Sequence, residues 1–304
     1  MNFGNGFTGE NTILFGGSGF FGPHILANYP NIISVGRTAP RTQNRHIHVD
    51  RLADLSALRA EKFDKVIFII GHSDHYNLEK LELSVDEPTA FDYHLTPLIQ
   101  TMEQLKHFPI KKFIHFSTVL IYDQNKITLP VSESSPIDPY KNRYTMSKFL
   151  AEEACKFYSK WIPTINVRLS NTYGPTLLKR FDVIHLLIRQ LLDTGKGEAW
   201  TTQPSRDFIY IEDAAHAVAK LLGSDFTGTV NLGSGTMTSV KRIVEILEAV
   251  SGRQIIDLNM PVSGPMEFCC DMTTIGRLVD WQPRHTAEAG IRRTYELMKS
   301  WSER

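Results

Sequence analysis

The chain predicts an α/β fold, a doubly wound parallel sheet joined to a smaller C-terminal lobe, on three observations. A strand over Asn11–Phe15 empties into a glycine-rich loop, Gly16-Gly17-Ser18-Gly19-Phe20-Phe21-Gly22, and a helix follows with Pro23 in its first turn. Two later apolar runs, Val66–Ile70 and Lys112–Phe116, are continuous rather than alternating, as strands covered on both faces require. Between them lies a helical pattern with Leu95, Leu98, Ile99, Met102 and Leu105 on its apolar side. Strands alternating with helices in this way define a Rossmann-type sheet.

Gly16, Gly19 and Gly22 let the backbone approach a dinucleotide pyrophosphate, so the loop, with Phe20 and Phe21, is the first candidate cofactor contact. The bland alternative is an ordinary tight turn. A second strand, Ile32–Val35, ends in Gly36-Arg37-Thr38. An acid at this point binds the ribose 2′-hydroxyl of NAD, whereas an arginine suits the 2′-phosphate of NADP. Arg37 stands there without an acid, with Arg41 and Arg45 close behind, so NADP is favoured over NAD. The third strand, around His46–Val49, delivers Asp50, read both as a contact near the adenine and as the N-cap of a helix over Arg51–Ala60. The Val66–Ile70 strand runs into Gly71-His72-Ser73-Asp74-His75 on the ligand side of the sheet. The spacing of His72 and His75 about Asp74 suits a metal, but no second ligand cluster accompanies it, and a solvated loop is the better reading.

A Tyr-x-x-x-Lys spacing occurs four times, at Tyr76/Lys80, Tyr122/Lys126, Tyr144/Lys148 and Tyr295/Lys299. On a helix it sets a phenol and an ammonium one turn apart, and a neighbouring cation lowers a phenol pKa from its usual value near 10. Placement selects Tyr144/Lys148. This pair follows the strand-end residue Thr118 and precedes a further strand, so Thr118 and Tyr144 can converge on one crevice.

The 304 residues balance 33 Lys+Arg against 33 Asp+Glu, so no global field draws the chain to nucleic acid or a membrane. No apolar run reaches the roughly 20 residues that cross a bilayer. The opening residues, MNFGNGFTGENT, lack a basic region followed by an apolar one, and the expectation is a cytoplasmic protein with a short flexible leader. Cys155, Cys269 and Cys270 form no zinc spacing and no even disulfide set, so they are read as reduced bystanders.

These motifs, with Phe116-Ser117-Thr118 and Tyr122, Glu133, Pro136 and Pro139 ahead of Tyr144-x-x-Ser147-Lys148, resemble the extended short-chain dehydrogenase/reductase superfamily, its nucleotide-sugar epimerase, dehydratase and reductase branch. The resemblance continues through Arg168-x-x-Asn171-x-Tyr173-Gly174-Pro175, Arg206-Asp207-Phe208-Ile209-Tyr210-Ile211-Glu212-Asp213 and Asn231-Leu232-Gly233-Ser234-Gly235. It implies that Tyr144 exchanges a proton with a sugar hydroxyl or ketone, that Thr118 hydrogen-bonds the same oxygen, and that Lys148 binds the nicotinamide ribose and lowers the Tyr144 pKa. Asn171 and Arg206 match positions that contact the substrate pyrophosphate, Arg206 having also a structural reading as a partner of Asp207 or Asp213. The resemblance further implies a homodimer through helices flanking the sheet.

Three departures narrow the chemistry. Val119 and Leu120 stand where dehydratases carry an acidic pair, the helix between Pro88 and His107 lacks the family's asparagine, and no arginine precedes Asp271. Residues 1–172 with about 206–232 are expected to form the dinucleotide-binding domain, and 173–205 with about 233–304 the nucleotide-sugar lobe. In the lobe, helices are expected at Phe181–Leu192, Val240–Val250 and Thr294–Trp301, and Arg206–Ile211 as a strand returning to the cofactor domain. The favoured function is an NADPH-dependent reductase of a 4-keto sugar, hydride passing to C4 of a nucleotide-linked hexose. The alternatives are a 4-epimerase with tightly held NAD(P) and a non-catalytic dinucleotide-binding scaffold.

Overall fold

Alternation along short strands sets the layering of the molecule, whose computed structural model describes residues 7–72, 88–262 and 264–303. The first six strands are β1 (Thr12–Phe15), β2 (Ile33–Gly36), β3 (His46–His48), β4 (Lys65–Phe68), β5 (Lys112–Thr118) and β6 (Thr164–Leu169). Leu14, Ile67, Ile114 and Ile165 turn into one core, while Ile13, Phe15, Val66, Phe68 and Phe113 turn into the other. A period of two thus divides each buried strand between two apolar layers.

Helices cover both. On the second core lie α2 (Ala90–Leu105), through Leu98, Met102 and Leu105, and α3 (Arg143–Tyr158), through Ala151, Cys155 and Tyr158. The first core takes Ile25 and Leu26 from α1 (Gly22–Asn28), Leu187 from α4 (Val183–Thr194) and Ala214 and Val218 from α5 (Ile211–Leu222). Three further helices complete the described set, α6 (Val240–Ser251), α7 (Thr273–Val279) and α8 (Ala287–Ser302).

The remaining strands are β7 (Asn171–Tyr173), β8 (Gly197–Ala199), β9 (Ser205–Tyr210), β10 (Gly228–Leu232), β11 (Met237–Ser239), β12 (Ile255–Asp257) and β13 (Glu267–Phe268). The main sheet has the order β10-β6-β5-β4-β1-β2-β3, every pair parallel. Its strand order reverses between β1 and β4, and a crevice opens at such a point beyond the strand ends. A second sheet joins β11, β9 and β13, with β7 alongside β9, and β8 pairs with β12.

Three expectations need correction. The strand at Ser205–Tyr210 does not return to the main sheet: it pairs with β7, β11 and β13, and the return is made by α5 and by β10, which occupies the edge beside β6. The helix expected over Arg51–Ala60 is one 3-10 turn, Ser56–Leu58. Asp54 there accepts from the Ser56 N–H at 3.0 Å, a local turn that competes with a helix, and Asp50 caps no helix among the described residues, lying exposed with His48 2.8 Å away. The last helix begins at Ala287 rather than Thr294, because the Thr286 hydroxyl caps it by accepting from Ala289.

Polar contacts pin α3 to the sheet. Arg168 on β6 pairs with Glu152 through Nη2 at 2.8 Å and Nε at 3.0 Å, both side chains buried. The same guanidinium donates to the Tyr122 hydroxyl at 3.2 Å, which donates to Asn231 on β10 at 2.7 Å. Glu133 accepts from the Asn231 N–H and from Thr274 on α7, each at 2.9 Å. Tyr122 is therefore structural, and its spacing partner Lys126 pairs with Asp123 at 3.2 Å. Tyr295 is buried in α8, and Tyr76/Lys80 lies outside the described residues. Replacing Arg168 with Met strands a buried carboxylate. It should cost about 3–5 kcal/mol in urea unfolding, with the double change Glu152→Met/Arg168→Met regaining most of the loss.

Candidate active site

The loop between β1 and α1 is shaped by its glycines. Gly16 has φ +92°, which L side chains rarely adopt. A Cβ at Gly22 would fall 2.6 Å from the Gly17 Cα and 2.7 Å from the Gly16 carbonyl oxygen, so the start of α1 seats directly on the turn. At Gly19, by contrast, an added Cβ would meet among the described residues only that carbonyl, at 3.4 Å, leaving the outer face of the loop open to a ligand backbone. Phe21 is buried against Phe116, ring centroids 5.1 Å apart, while Phe20 faces His185 edge-on at 5.3 Å. The loop fits a dinucleotide phosphate by shape.

At the outer end of the sheet Arg37 and Arg41 are exposed after β2, but Arg45 is committed to Glu61 by two bonds of 2.6 Å. Asp50 is exposed beyond β3. Arg37 and Asp50 follow the carboxyl ends of the parallel strands β2 and β3, the end at which the glycine loop follows β1, whereas Arg45 precedes β3 at the opposite end of the sheet.

On α3 the Asn142 side chain accepts from Thr145 and starts the helix, which carries Tyr144, Lys148 and Glu152 on the stripe facing the sheet. The Thr118 hydroxyl, at the end of β5, hydrogen-bonds the Tyr144 phenol and also accepts from the Leu120 N–H at 3.2 Å. The structure therefore brings Thr118 and Tyr144 together as expected from their placement. Lys148 donates to the Phe116 carbonyl at 2.9 Å. Burial pushes its pKa down to about 8, with Glu152 opposing. The expected lowering of Tyr144 is reversed: burial dominates and raises its pKa above 10, and the opposing influences are Thr118 and the charge of Arg180.

His94 occupies the α2 segment that lacks the family's asparagine. Its Nδ1 lies 2.8 Å from the Ser147 hydroxyl, which lies 2.8 Å from the Tyr144 carbonyl, and its Nε2 lies 2.9 Å from the His72 carbonyl oxygen. The ring stands edge-on to Tyr144 with centroids 5.3 Å apart. A Cβ on Gly71 would come within 3.0 Å of this ring and 3.5 Å of the Lys148 nitrogen, so the strand end passes between them as bare backbone. Burial first, then the Lys148 charge, presses the His94 pKa down to about 2. His115 behind it, bonded to Asn166 at 2.9 Å, falls to about 3 for the same reasons. The rest of the His72–His75 loop lies outside the described residues, and among the described residues no three His, Cys, Asp or Glu side chains form a metal site.

Asn171 and Arg206 sit on the paired strands β7 and β9 of the second sheet. Asn171 donates to the Asp207 carbonyl at 3.0 Å and Arg206 Nε to the Pro265 carbonyl at 3.0 Å. The carboxylates proposed as structural partners of Arg206 have other anchors. Asp207 accepts from the N–H groups of Ser234, Gly235 and Cys270, and Asp213 from His285.

A glycine loop at the switch point of a parallel sheet, facing a buried tyrosine that shares a helix stripe with a lysine, belongs to the dinucleotide-dependent short-chain dehydrogenase/reductases of the extended type. Within them, the sequence pattern of the NAD dependent epimerase/dehydratase family matches residues 12–233, and the chain belongs to that family. GDP-mannose 3,5-epimerase 1 of Oryza sativa subsp. indica is 24% identical over 316 residues, spanning 96% of this chain and 82% of that protein. Among solved structures, UDP-N-acetylglucosamine 4-epimerase from Methanobrevibacter ruminantium M1 superposes with a TM-score of 0.84 at 20% identity, over 96% of this chain and 99% of that one. UDP-glucuronic acid 4-epimerase from Bacillus cereus, in complex with NAD, gives 0.80 at 22% identity over 96% and 99%.

Sequence reasoning missed His94, Arg180 and the Asp182–His185 pair. The missing asparagine pointed to the His94 position without naming its occupant. Arg180 bonds Asp182 two residues on, but Phe20, whose ring it covers, is distant in the chain.

Buried neutral histidines make the fold acid-sensitive. The unfolded chain protonates His94 near 6.5 while the folded chain resists to about 2, so this stability is full above 6.5 and is lost as pH falls below it. In His94→Asn, the loss of unfolding free energy between about pH 7 and about pH 5 should be smaller than in the wild type by about 2 kcal/mol, read by urea titration at each pH.

Proposed function

We propose that the protein is a 4-epimerase of a nucleotide-linked hexose, working through transient oxidation at C4 with a dinucleotide that stays bound. The observation that carries this reading is the acid/base set at the crevice, Thr118 with Tyr144, beside apolar Val119 and Leu120. Elimination of water needs a second acid/base to take the proton beside the ketone; reversible hydride transfer at one carbon does not. A bound dinucleotide would supply the acceptor and the donor of the C4 hydride.

Tyr144 removes the O4 proton as the hydride leaves and restores it on return, with Thr118 donating to the same oxygen as charge develops there. Lys148, buried beside Tyr144 on the same helix stripe, would hold the nicotinamide ribose. Asn171 and Arg206, on the second sheet, hold the substrate diphosphate, for which a guanidinium fork is suited. The three relatives, all epimerases of nucleotide sugars, support this choice over the reductase. The exposed Ile99 of α2 and Phe157 of α3 support a homodimer through those helices.

One observation favours the second reading, an NADPH-dependent 4-keto-sugar reductase. Arg37 ends β2 without an acid, which suits a 2′-phosphate, although Arg45 is occupied by Glu61. Extraction of the nucleotide from purified protein, followed by assay on UDP- and GDP-linked hexoses, separates the readings. Retained cofactor with no net change in NAD(P)H supports the epimerase, stoichiometric loss of NADPH the reductase, and binding without turnover a non-catalytic scaffold.

Tyr144→Phe should lower turnover by at least about a hundredfold while dinucleotide affinity stays within about threefold. Near-normal turnover in that variant would remove Tyr144 from the chemistry. Arg37→Asp should weaken NADP binding about tenfold or more and leave NAD binding little changed, as measured by calorimetry. Equal losses for the two would mean that Arg37 does not read the 2′-phosphate.

A further inference from the structure

The seam between α2 and α3 is apolar along its middle, where Leu98, Met102 and Leu105 share a core with Ala151 and Cys155, and polar at its two ends. At the inner end the Tyr158 hydroxyl donates to Glu103. At the outer end, beside Tyr144, stand His94 and Ser147, both buried. Apolar contact is non-directional and resists the sliding or rotation of one helix on another only weakly, whereas a hydrogen bond fixes distance and angle.

Each nitrogen of the His94 ring reaches a different element. Nδ1 lies 2.8 Å from the Ser147 hydroxyl, and Ser147 donates to the Tyr144 carbonyl at 2.8 Å. Nε2 lies past the end of β4, 3.2 Å from the His72 backbone nitrogen and 2.9 Å from the His72 carbonyl oxygen. The ring is neutral, so it has one donor and one acceptor. With the hydrogen on Nδ1, the ring donates to Ser147, Ser147 donates to Tyr144, and the His72 N–H donates to Nε2. With the hydrogen on Nε2, the ring donates to the His72 carbonyl and accepts from Ser147. Either tautomer joins the end of β4 to α3. The ring is also confined from its sides, by bare backbone at Gly71, where a Cβ would come 3.0 Å from Cδ2, and by Tyr144, which it meets edge-on.

We propose that His94 is a positioning residue for Tyr144, a bridge from the His72 backbone to Ser147 that sets the first turn of α3 so that the phenol meets Thr118. Its effect on turnover rests on the proposed function, but its hold on Tyr144 does not. Covalent reach supplies the test. Counted from Cβ, the histidine Nδ1 and the polar atoms of asparagine are equally distant, as are the histidine Nε2 and the polar atoms of glutamine, one bond further out. Asparagine therefore keeps the arm to Ser147 and loses the arm to His72, and glutamine does the reverse. Because the hold on Tyr144 passes through Ser147, these two neutral amides should differ.

Tyrosine labelled with carbon-13 at the ring position bearing oxygen reports the setting of each phenol by NMR, and the Tyr144 signal is the one lost in Tyr144→Phe. In Ser147→Ala, which keeps the His94 ring, the Tyr144 signal should move from its wild-type position. His94→Gln should differ from His94→Asn, since the influence of the ring itself on the signal is lost in both. Turnover of a UDP- or GDP-linked hexose should split in the same way. In His94→Gln and Ser147→Ala, kcat should fall about tenfold with KM within about twofold, and His94→Asn should recover most of that loss.

Coincident Tyr144 signals in the asparagine and glutamine variants would mark a packing effect and overturn the proposal. So would an unmoved signal in Ser147→Ala, or a loss of turnover that appears in KM alone. If His94→Gln does not fold by near-ultraviolet circular dichroism, the Ser147→Ala signal decides by itself. A protein that shows the expected signals but turns over no nucleotide sugar contradicts only the proposed function.

Discussion

Where α3 lies on the sheet decides where the chemistry can happen, and the buried Glu152–Arg168 pair fixes that position. Tyr144, Lys148 and Glu152 recur at four-residue intervals, so they share a stripe along one helix face. Glu152 anchors the inner end of the stripe to β6 and Lys148 ties its middle to β5 through the Phe116 carbonyl. The outer end, Tyr144, is left beside Thr118 at the mouth of the crevice. Because the Arg168 guanidinium also reaches Tyr122 and, through it, Asn231, the network that seats the helix also ties down the strand that closes the sheet edge.

A dry, close-packed site imposes a cost on charge. Burial raises the Tyr144 pKa and lowers that of Lys148, so both groups are pushed toward their neutral forms. The histidines behind them are neutral for the same reason. Separated charge in such a place needs support from fixed charges or oriented donors. Thr118 supplies a hydrogen bond, and the charge of Arg180 opposes the effect of burial on Tyr144. The second lobe has its own buried organiser in Asp207, whose carboxylate gathers backbone N–H groups from two loops.

Much of this was legible before the structure, for identifiable reasons. The strands of the main sheet are short apolar runs whose neighbours follow in sequence, and the glycine loop and the Tyr144 helix lie where local spacing predicts. The resemblance to the extended short-chain dehydrogenase/reductases is confirmed by the family match. β9 was recognised as a strand but assigned to the wrong sheet, since an apolar run does not encode its partner. The Arg51–Ala60 segment looked helical, yet Asp54 closes a local turn there. Arg45 looked available to a phosphate until Glu61, sixteen residues on, was seen to hold it.

The sequence by itself determined the α/β class, the glycine loop at Gly16–Gly22, and the placement of Thr118, Tyr144 and Lys148, because these depend on periodicity within elements and on the order of neighbouring ones. Only the tertiary structure decided the electrical state of that set. The direction of the Tyr144 and Lys148 shifts depends on how deeply each group is buried. The cation that opposes burial at Tyr144 comes from Arg180, thirty-six positions along the chain. Burial and long-range charge are properties of packed space, and no local pattern of residues records them.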